Sequence, residues 1–285
     1  MMALYIALIA ILVLSFVFLW LIAPRSPRRG MKEVLQAQTY FAHRGLHDEE
    51  SPENSLPAFQ KAVDAGYGIE LDVQISKDGI PVVYHDDHLR RGCKIDGWVH
   101  DYTLEQLQNM PLFERDDVHI PTLAEVLELV GGKVPLIVEI KASRPEWRET
   151  LEGAMNLLEK YEGIYCIESF NPLALKQLRK HHPHVVRGQL CDYYRSWYKS
   201  ADKRMPFLMF LAQWFLMNVV ARPDFIAYNC KNANKLPFRM ISHLYPDCTY
   251  IAWTTKSEAD EQSSPIFSAY IFEKYIPAQK DESAS

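Results

Sequence analysis

Short apolar, β-branched runs alternate with stretches of helical periodicity along almost the whole chain. That alternation restricts the fold more than any other feature, because it is the pattern of repeated βα units around a parallel sheet. The runs that qualify as strands are 40–43, 69–73, 81–85, 136–140, 165–169, 185–190, 225–228, 249–253 and 269–272. Capping signals mark the helices between them. Thr122 with Glu125 forms a capping box before a helix that stops at Gly131 and Gly132, and Thr103 with Gln106 repeats the device. Asn54 or Ser55 caps a further helix, with Pro57 in its first turn and Gly66 past its end. There is no internal repeat and no low-complexity tract.

Residues 1–23 are uncharged, with Tyr5 and Ser15 the only mildly polar members. As a helix they would span the roughly 30 Å hydrocarbon core of a bilayer. A cleaved signal peptide is the alternative, but it lacks support: there is no positive n-region, the apolar run is too long, and Pro24 follows directly. Arg25, Arg28, Arg29 and Lys32 crowd the C-terminal flank, which predicts a domain facing the cytoplasm. The expected plan is a transmembrane helix at 1–23, a basic linker at 24–38, one α/β domain at 39–278 and a polar tail at 279–285. The net charge of −5 all lies outside the apolar run and excludes the basic footprint of a nucleic-acid partner. Cys93, Cys166, Cys191, Cys230 and Cys248 are odd in number and contain no CxxC pair. They are expected to be buried reduced thiols, as in a reducing compartment.

Charged residues inside apolar strands are the informative exceptions, because an unpaired buried charge is costly. Glu70 and Asp72 are two apart in one strand, so both point to one face; Glu139 and Lys141 do the same in another. A third strand ends in His43 and Arg44, with Gly45 allowing a tight exit. Asp78-Gly79 predicts a two-residue hairpin turn that places Lys77 opposite Ile80 and Asp72 opposite His85, on the order of 5 Å apart. Glu70, Asp72 and Glu139 form a hard, oxygen-rich set suited to Ca²⁺ or Mg²⁺ rather than zinc. Taken singly, each acid reads as an ordinary ion-pair member. His43 and His85 suit general acid and base work, and Arg44 and Lys141 suit phosphate oxygens. Glu53 is assigned to orienting Arg44 or the helix start, and the remaining histidines, His47 and His88 among them, are read as solvated.

The strings HRGLHDEESPENSLPAF (43–59), GIELDVQISKDGIPVVYHDDHL (68–89), IPTLAEVL (120–127) and VEIK (138–141) together resemble the glycerophosphodiester phosphodiesterase family. The resemblance implies an irregular TIM-type (β/α)8 barrel with a small insertion after the third strand, here about 87–117, and a divalent cation at its mouth. By position it makes His43 and His85 the acid/base pair, Glu70, Asp72 and Glu139 the metal ligands, and Arg44 and Lys141 the phosphate contacts. Trp253 matches a late tryptophan of the family and would wall the pocket, whereas Glu168, Lys256 and the ending AYIFEKYIP depart from its pattern. The implied activity is hydrolysis of a glycerophosphodiester to glycerol 3-phosphate and an alcohol. Alternatives are lysophospholipase D action on membrane lysophospholipids and an inactive binding barrel. Residues 205–220, apolar apart from Gln213 and Asn218, are too short to span and are expected as a buried barrel helix. The other possibility is an interfacial helix on the same membrane.

Overall fold

The structure, a computed structural model, describes residues 1–25, 29–200, 204–262 and 265–278. The 279–285 tail and residues 26–28 of the expected linker lie outside the described residues. Two helices come first, α1 (Met2–Ile22) and α2 (Arg29–Ala37). The strands are β1 (Tyr40–His43), β2 (Gly68–Ile75), β3 (Pro81–Val83), β4 (Leu136–Ile140), β5 (Tyr165–Ser169), β6 (Arg187–Cys191), β7 (Phe225–Asn229), β8 (Thr249–Thr255) and β9 (Phe267–Phe272). All except β3 run parallel in the order β1-β9-β8-β7-β6-β5-β4-β2, and β1 pairs with β2 to close the ring. This is a TIM-type barrel. Every residue of β2 and β4 is buried, as a parallel strand must be when side chains fill the interior and helices cover the outside.

The helices after the first strand follow in chain order. Ser55 accepts a hydrogen bond from the Ala58 amide and starts α3 (Leu56–Asp64). The insertion carries α4 (Arg90–Cys93) and α5 (Leu104–Gln108), around a small core of its own that includes Tyr84, Leu89, Val99 and Leu107. Thr122 and Glu125 make the expected reciprocal cap on α6 (Leu123–Val130), which ends at Gly131 with φ +52°. Around the rest of the ring lie α7 (Trp147–Leu158), α8 (Pro172–His181), α9 (Tyr194–Ser200), α10 (Phe207–Gln213), α11 (Asn218–Ala221), α12 (Leu236–Leu244) and α13 (Glu258–Glu261). Leu71, Val73, Val126, Val138 and Leu151 belong to the core between β2, β4 and these helices. Phe41, Ile137, Cys166, Ala227 and Ile251 fill the barrel interior. Space there is tight: a Cβ on Gly188 would lie 2.1 Å from the Phe225 ring.

Three expectations change. First, the hairpin register is one residue off: Val73 pairs with Val83, and the Tyr84 amide, not His85, bonds the Asp72 carbonyl. Ser76 closes on Ile80 around three residues, with Gly79 at φ +80° taking the left-handed position, so the loop is longer by one than a two-residue turn. β3 is therefore an antiparallel strand outside the barrel, which accounts for nine candidates and eight positions. Second, the 205–220 stretch is not one buried helix. It breaks at Phe215 (φ +60°) into α10 and α11, and Phe207 and Leu208 are 73% and 63% exposed. With apolar residues all round, α10 has more apolar surface than one packing face can cover, and Asn218 is drawn instead to the end of α1, where it donates to the Ile22 carbonyl at 2.7 Å. Third, the second half of the expected linker is α2, whose Met31 and Val34 are buried in the barrel-interior core, so it plugs the barrel.

Among the described residues α1 is the one helix long and apolar enough to cross a membrane. Carbonyls of its last turn accept hydrogen bonds from outside the helix, Ile22 from Asn218, Trp20 from Arg222 and Leu19 from Tyr245. The five cysteines are buried and unbridged, as expected.

Candidate active site

Strand alternation sets the site. In β2, Leu71 and Val73 face outward to the helices, which turns Glu70 and Asp72 inward. In register, Asp72 lies beside Glu139 and Glu139 beside Glu168, forming one layer of acids across β2, β4 and β5. Glu70, Asp72 and Glu139 each bring a carboxylate oxygen within 4.8 Å of the others, and all three are buried. The sequence-predicted ligands thus come together.

Cations and amides surround them. Lys141 Nζ lies 2.8 Å from Asp72 and 2.9 Å from Glu139. Arg44 Nε is 3.3 Å from Asp72, its amide donates to Glu70 at 3.1 Å, and Glu53 holds its Nη1 at 2.7 Å. Glu53 thus orients Arg44, as expected. Arg44 and Asn54 both sit at positive φ, 57° and 55°, and Asn54 Nδ2 donates to Asp72 at 2.8 Å. Strained backbone of this kind persists where the surroundings dictate it.

The buried charges divide unevenly. Burial raises Glu70 well above the ordinary carboxylate value, and repulsion from Asp72, Glu139 and Glu168 adds to it. Burial also disfavours the charged form of Asp72, but Lys141, His85 and Arg44 outweigh it and hold that acid well below its usual value. Burial lifts Glu139 despite Lys141, and lifts Glu168 strongly. One oxygen of Glu168 has no hydrogen-bond partner. Among the described residues, Arg44 and Lys141 are the lysine and arginine side chains paired with this group of four carboxyls, an imbalance that a hard divalent cation would relieve. The spacing fits too: ligand oxygens on one Ca²⁺, at 2.3–2.6 Å, lie at most about 5 Å apart.

His43 closes one side of the site. Its Nδ1 lies 2.7 Å from Glu273 Oε2 and its Nε2 3.9 Å from Glu70. Burial pushes the imidazole down to about 4, against the opposing pull of Glu273. The ring is therefore neutral, donates Nδ1–H to the carboxylate, and leaves Nε2 as an acceptor. Glu273 was missed in the sequence; its one signal is an acid directly after the apolar run 269–272. It also pairs with Lys256 and lies 3.8 Å from His47, so His47 belongs to this network rather than to solvent. His85 lies just beyond β3, with Nδ1 2.6 Å from Asp86, and stays within electrostatic reach of Asp72 and Glu139. Trp253 stands at the mouth with its ring 5.7 Å edge-on to Phe170, which in turn meets Trp197 of α9.

The model of the glycerophosphoryl diester phosphodiesterase family matches residues 43–227. A glycerophosphodiester phosphodiesterase of Caldanaerobacter subterraneus subsp. tengcongensis is 36% identical over 171 residues, 56% of this chain and 70% of that protein. One from Bacillus altitudinis is 37% identical over 155 residues, 51% of this chain and 63% of the relative, a little under two thirds of its length. Among solved structures, a glycerophosphodiester phosphodiesterase of Thermotoga maritima superimposes with a TM-score of 0.61 at 26% identity, covering 82% of this chain and 94% of that one. An Oleispira antarctica phosphodiesterase in complex with the product sn-glycerol-3-phosphate gives a TM-score of 0.65 at 21% identity, over 85% and 94%.

Proposed function

Given that the chain belongs to the glycerophosphoryl diester phosphodiesterase family, we propose that it hydrolyses glycerophosphodiesters to glycerol 3-phosphate and an alcohol. The observation that carries this reading is the trio Glu70, Asp72 and Glu139 converging within 4.8 Å beside a neutral His43. These three carboxylates would hold one divalent cation, Ca²⁺ or Mg²⁺, which as a Lewis acid supplies charge neutralisation at the phosphoryl oxygens. Arg44 and Lys141 bind the remaining phosphate oxygens, and Trp253 walls the pocket.

His43 Nε2 takes the proton of the attacking substrate hydroxyl, and Glu273 steadies the imidazolium that forms. As the phosphorus–oxygen bond to the alcohol breaks, His85, oriented through Nδ1 by Asp86, delivers a proton to the leaving oxygen. Water then opens the cyclic phosphodiester with the two imidazoles exchanging roles. In this reading α1 spans a membrane and the barrel faces the cytoplasm, on the side of Arg25 and Lys32.

The test is a phosphodiester panel assayed with and without chelator, with Ca²⁺ and Mg²⁺ added back separately. His43→Ala should lower turnover by at least ~10²-fold, as for loss of a general base. Near-normal turnover in that variant rejects the role of His43. No chelator-sensitive turnover on any diester by the wild type would favour the inactive binding barrel. The exposed Phe207 and Leu208 favour a second reading, cleavage of lysophospholipids, which a higher rate on a monoacyl diester than on glycerophosphocholine would support.

A further inference from the structure

The flank of the barrel around β7 carries features that catalysis does not use. A groove of about 890 Å³ lies between α9, α10 and the start of α12. Arg195, Lys199, Arg204 and Lys235 line it, and among the described residues no acidic side chain does, in a chain whose net charge is −5. Tyr193, Tyr198 and Trp214 supply amphipathic rings between the cations. Beside the groove, α10 turns Phe207, Leu208, Met209 and Phe210 to the outside, and Trp197 of α9 is 48% exposed. Four consecutive exposed apolar residues next to a band of cations and aromatic rings have the composition of a bilayer interface, where aromatic side chains sit at head-group level and basic groups meet anionic lipid.

The same flank holds the membrane helix. Only five residues after α10, Asn218 binds the Ile22 carbonyl, and Arg222 donates to the carbonyls of Trp20 and Ala23 while stacking on the Trp20 ring. Tyr245, just past α12, binds Leu19. The apolar face of α10 is therefore tied to the point where α1 leaves the barrel.

We infer that the α9–α10 face is a second membrane contact, with the run Phe207–Phe210 inserted among acyl chains and the four cations on the head groups of an anionic bilayer. It rests on the reading that α1 spans that bilayer. The contact would bring the catalytic mouth to the lipid surface, because α9 reaches the mouth through the Trp197–Phe170–Trp253 ring contacts.

The test uses the full-length chain reconstituted in vesicles. All five cysteines are buried, so a single surface cysteine can be labelled selectively. One fluorophore goes at Leu208→Cys. A second goes at Glu105→Cys, in the insertion next to β2, across the ring from β7 in the strand order. With nitroxide on the acyl chains, quenching at 208 should exceed that at 105 several-fold and should grow as phosphatidylglycerol replaces phosphatidylcholine. The double variant Arg195→Glu, Lys199→Glu should abolish that growth. Equal quenching at both positions overturns the inference, and so does quenching at 208 that ignores phosphatidylglycerol. Dependence on protein density instead of lipid would assign the face to a second copy of the chain. A chain that fails to float with vesicles removes the anchor and the inference with it. Hydrolysis is assayed separately, so an error about the reaction leaves this readout unaffected.

Discussion

Glu273, just past the end of β9, holds the His43 ring through a 2.7 Å contact to Nδ1. Its carboxylate fixes the His43 tautomer, so Glu273→Gln should lower kcat about ten-fold or more with little change in KM, and Glu273→Asp should restore part of it. The buried imidazole also affects stability. Its folded-state value, about 4, lies below the ordinary 6.5, so its contribution is complete above about 6.5 and is lost as pH falls toward 4. Between pH 7 and pH 5 the melting temperature of the wild type should fall further than that of His43→Gln; parallel declines in the two scans would contradict it. The acids Glu70, Asp72 and Glu139 were legible in the sequence because a period of two inside apolar strands leaves little choice of face. Glu273 and Asn54 were not, because their partners are set by closure of the barrel: His43 lies 230 residues from Glu273, and Asn54 meets Asp72 only through a positive-φ turn.

Among the elements, strand existence was legible and register was not. The runs 40–43, 136–140 and 165–169 coincide with β1, β4 and β5. Asp78-Gly79, however, serves a three-residue loop as readily as a two-residue turn, and only Gly79 takes positive φ. The one-residue slip moves His85 out of the hairpin and leaves its placement to the insertion that follows. Helix caps were legible because they are local. Thr122→Ala should cost about 1 kcal/mol, measurable by denaturant unfolding, since Thr122 accepts from the Glu125 amide at the start of α6. Gly188→Ala is expected to cost about 1–3 kcal/mol, because the new methyl would enter the space of the Phe225 ring. The 205–220 stretch defeated prediction for a different reason: apolar on every side, it carried no periodicity to say which face the barrel would take.

At the scale of the whole molecule, the site stores repulsion that folding must tolerate. Four carboxyls are buried close together, Asp72, Glu139 and Glu168 in one layer and Glu70 in the next, and burial and neighbouring carboxylates raise Glu70, Glu139 and Glu168. A divalent cation should therefore stabilise the fold, by about 2.7 kcal/mol at a concentration one hundred times its Kd. Glu70→Gln should blunt that gain, and an unchanged melting temperature on adding Ca²⁺ or Mg²⁺ to the wild type would refute it.

Helix α2 gives the barrel its floor. Met31 and Val34 come from the stretch of chain that has just left α1, so the interior is sealed by the same segment that joins the barrel to that helix. A soluble version trimmed at residue 39 would open the base of the barrel to water, whereas one beginning ahead of Arg29 keeps it shut. The long apolar helix α1 is thus followed directly by the plug at the foundation of the barrel, and its last turn is held to the same body by Asn218, Arg222 and Tyr245.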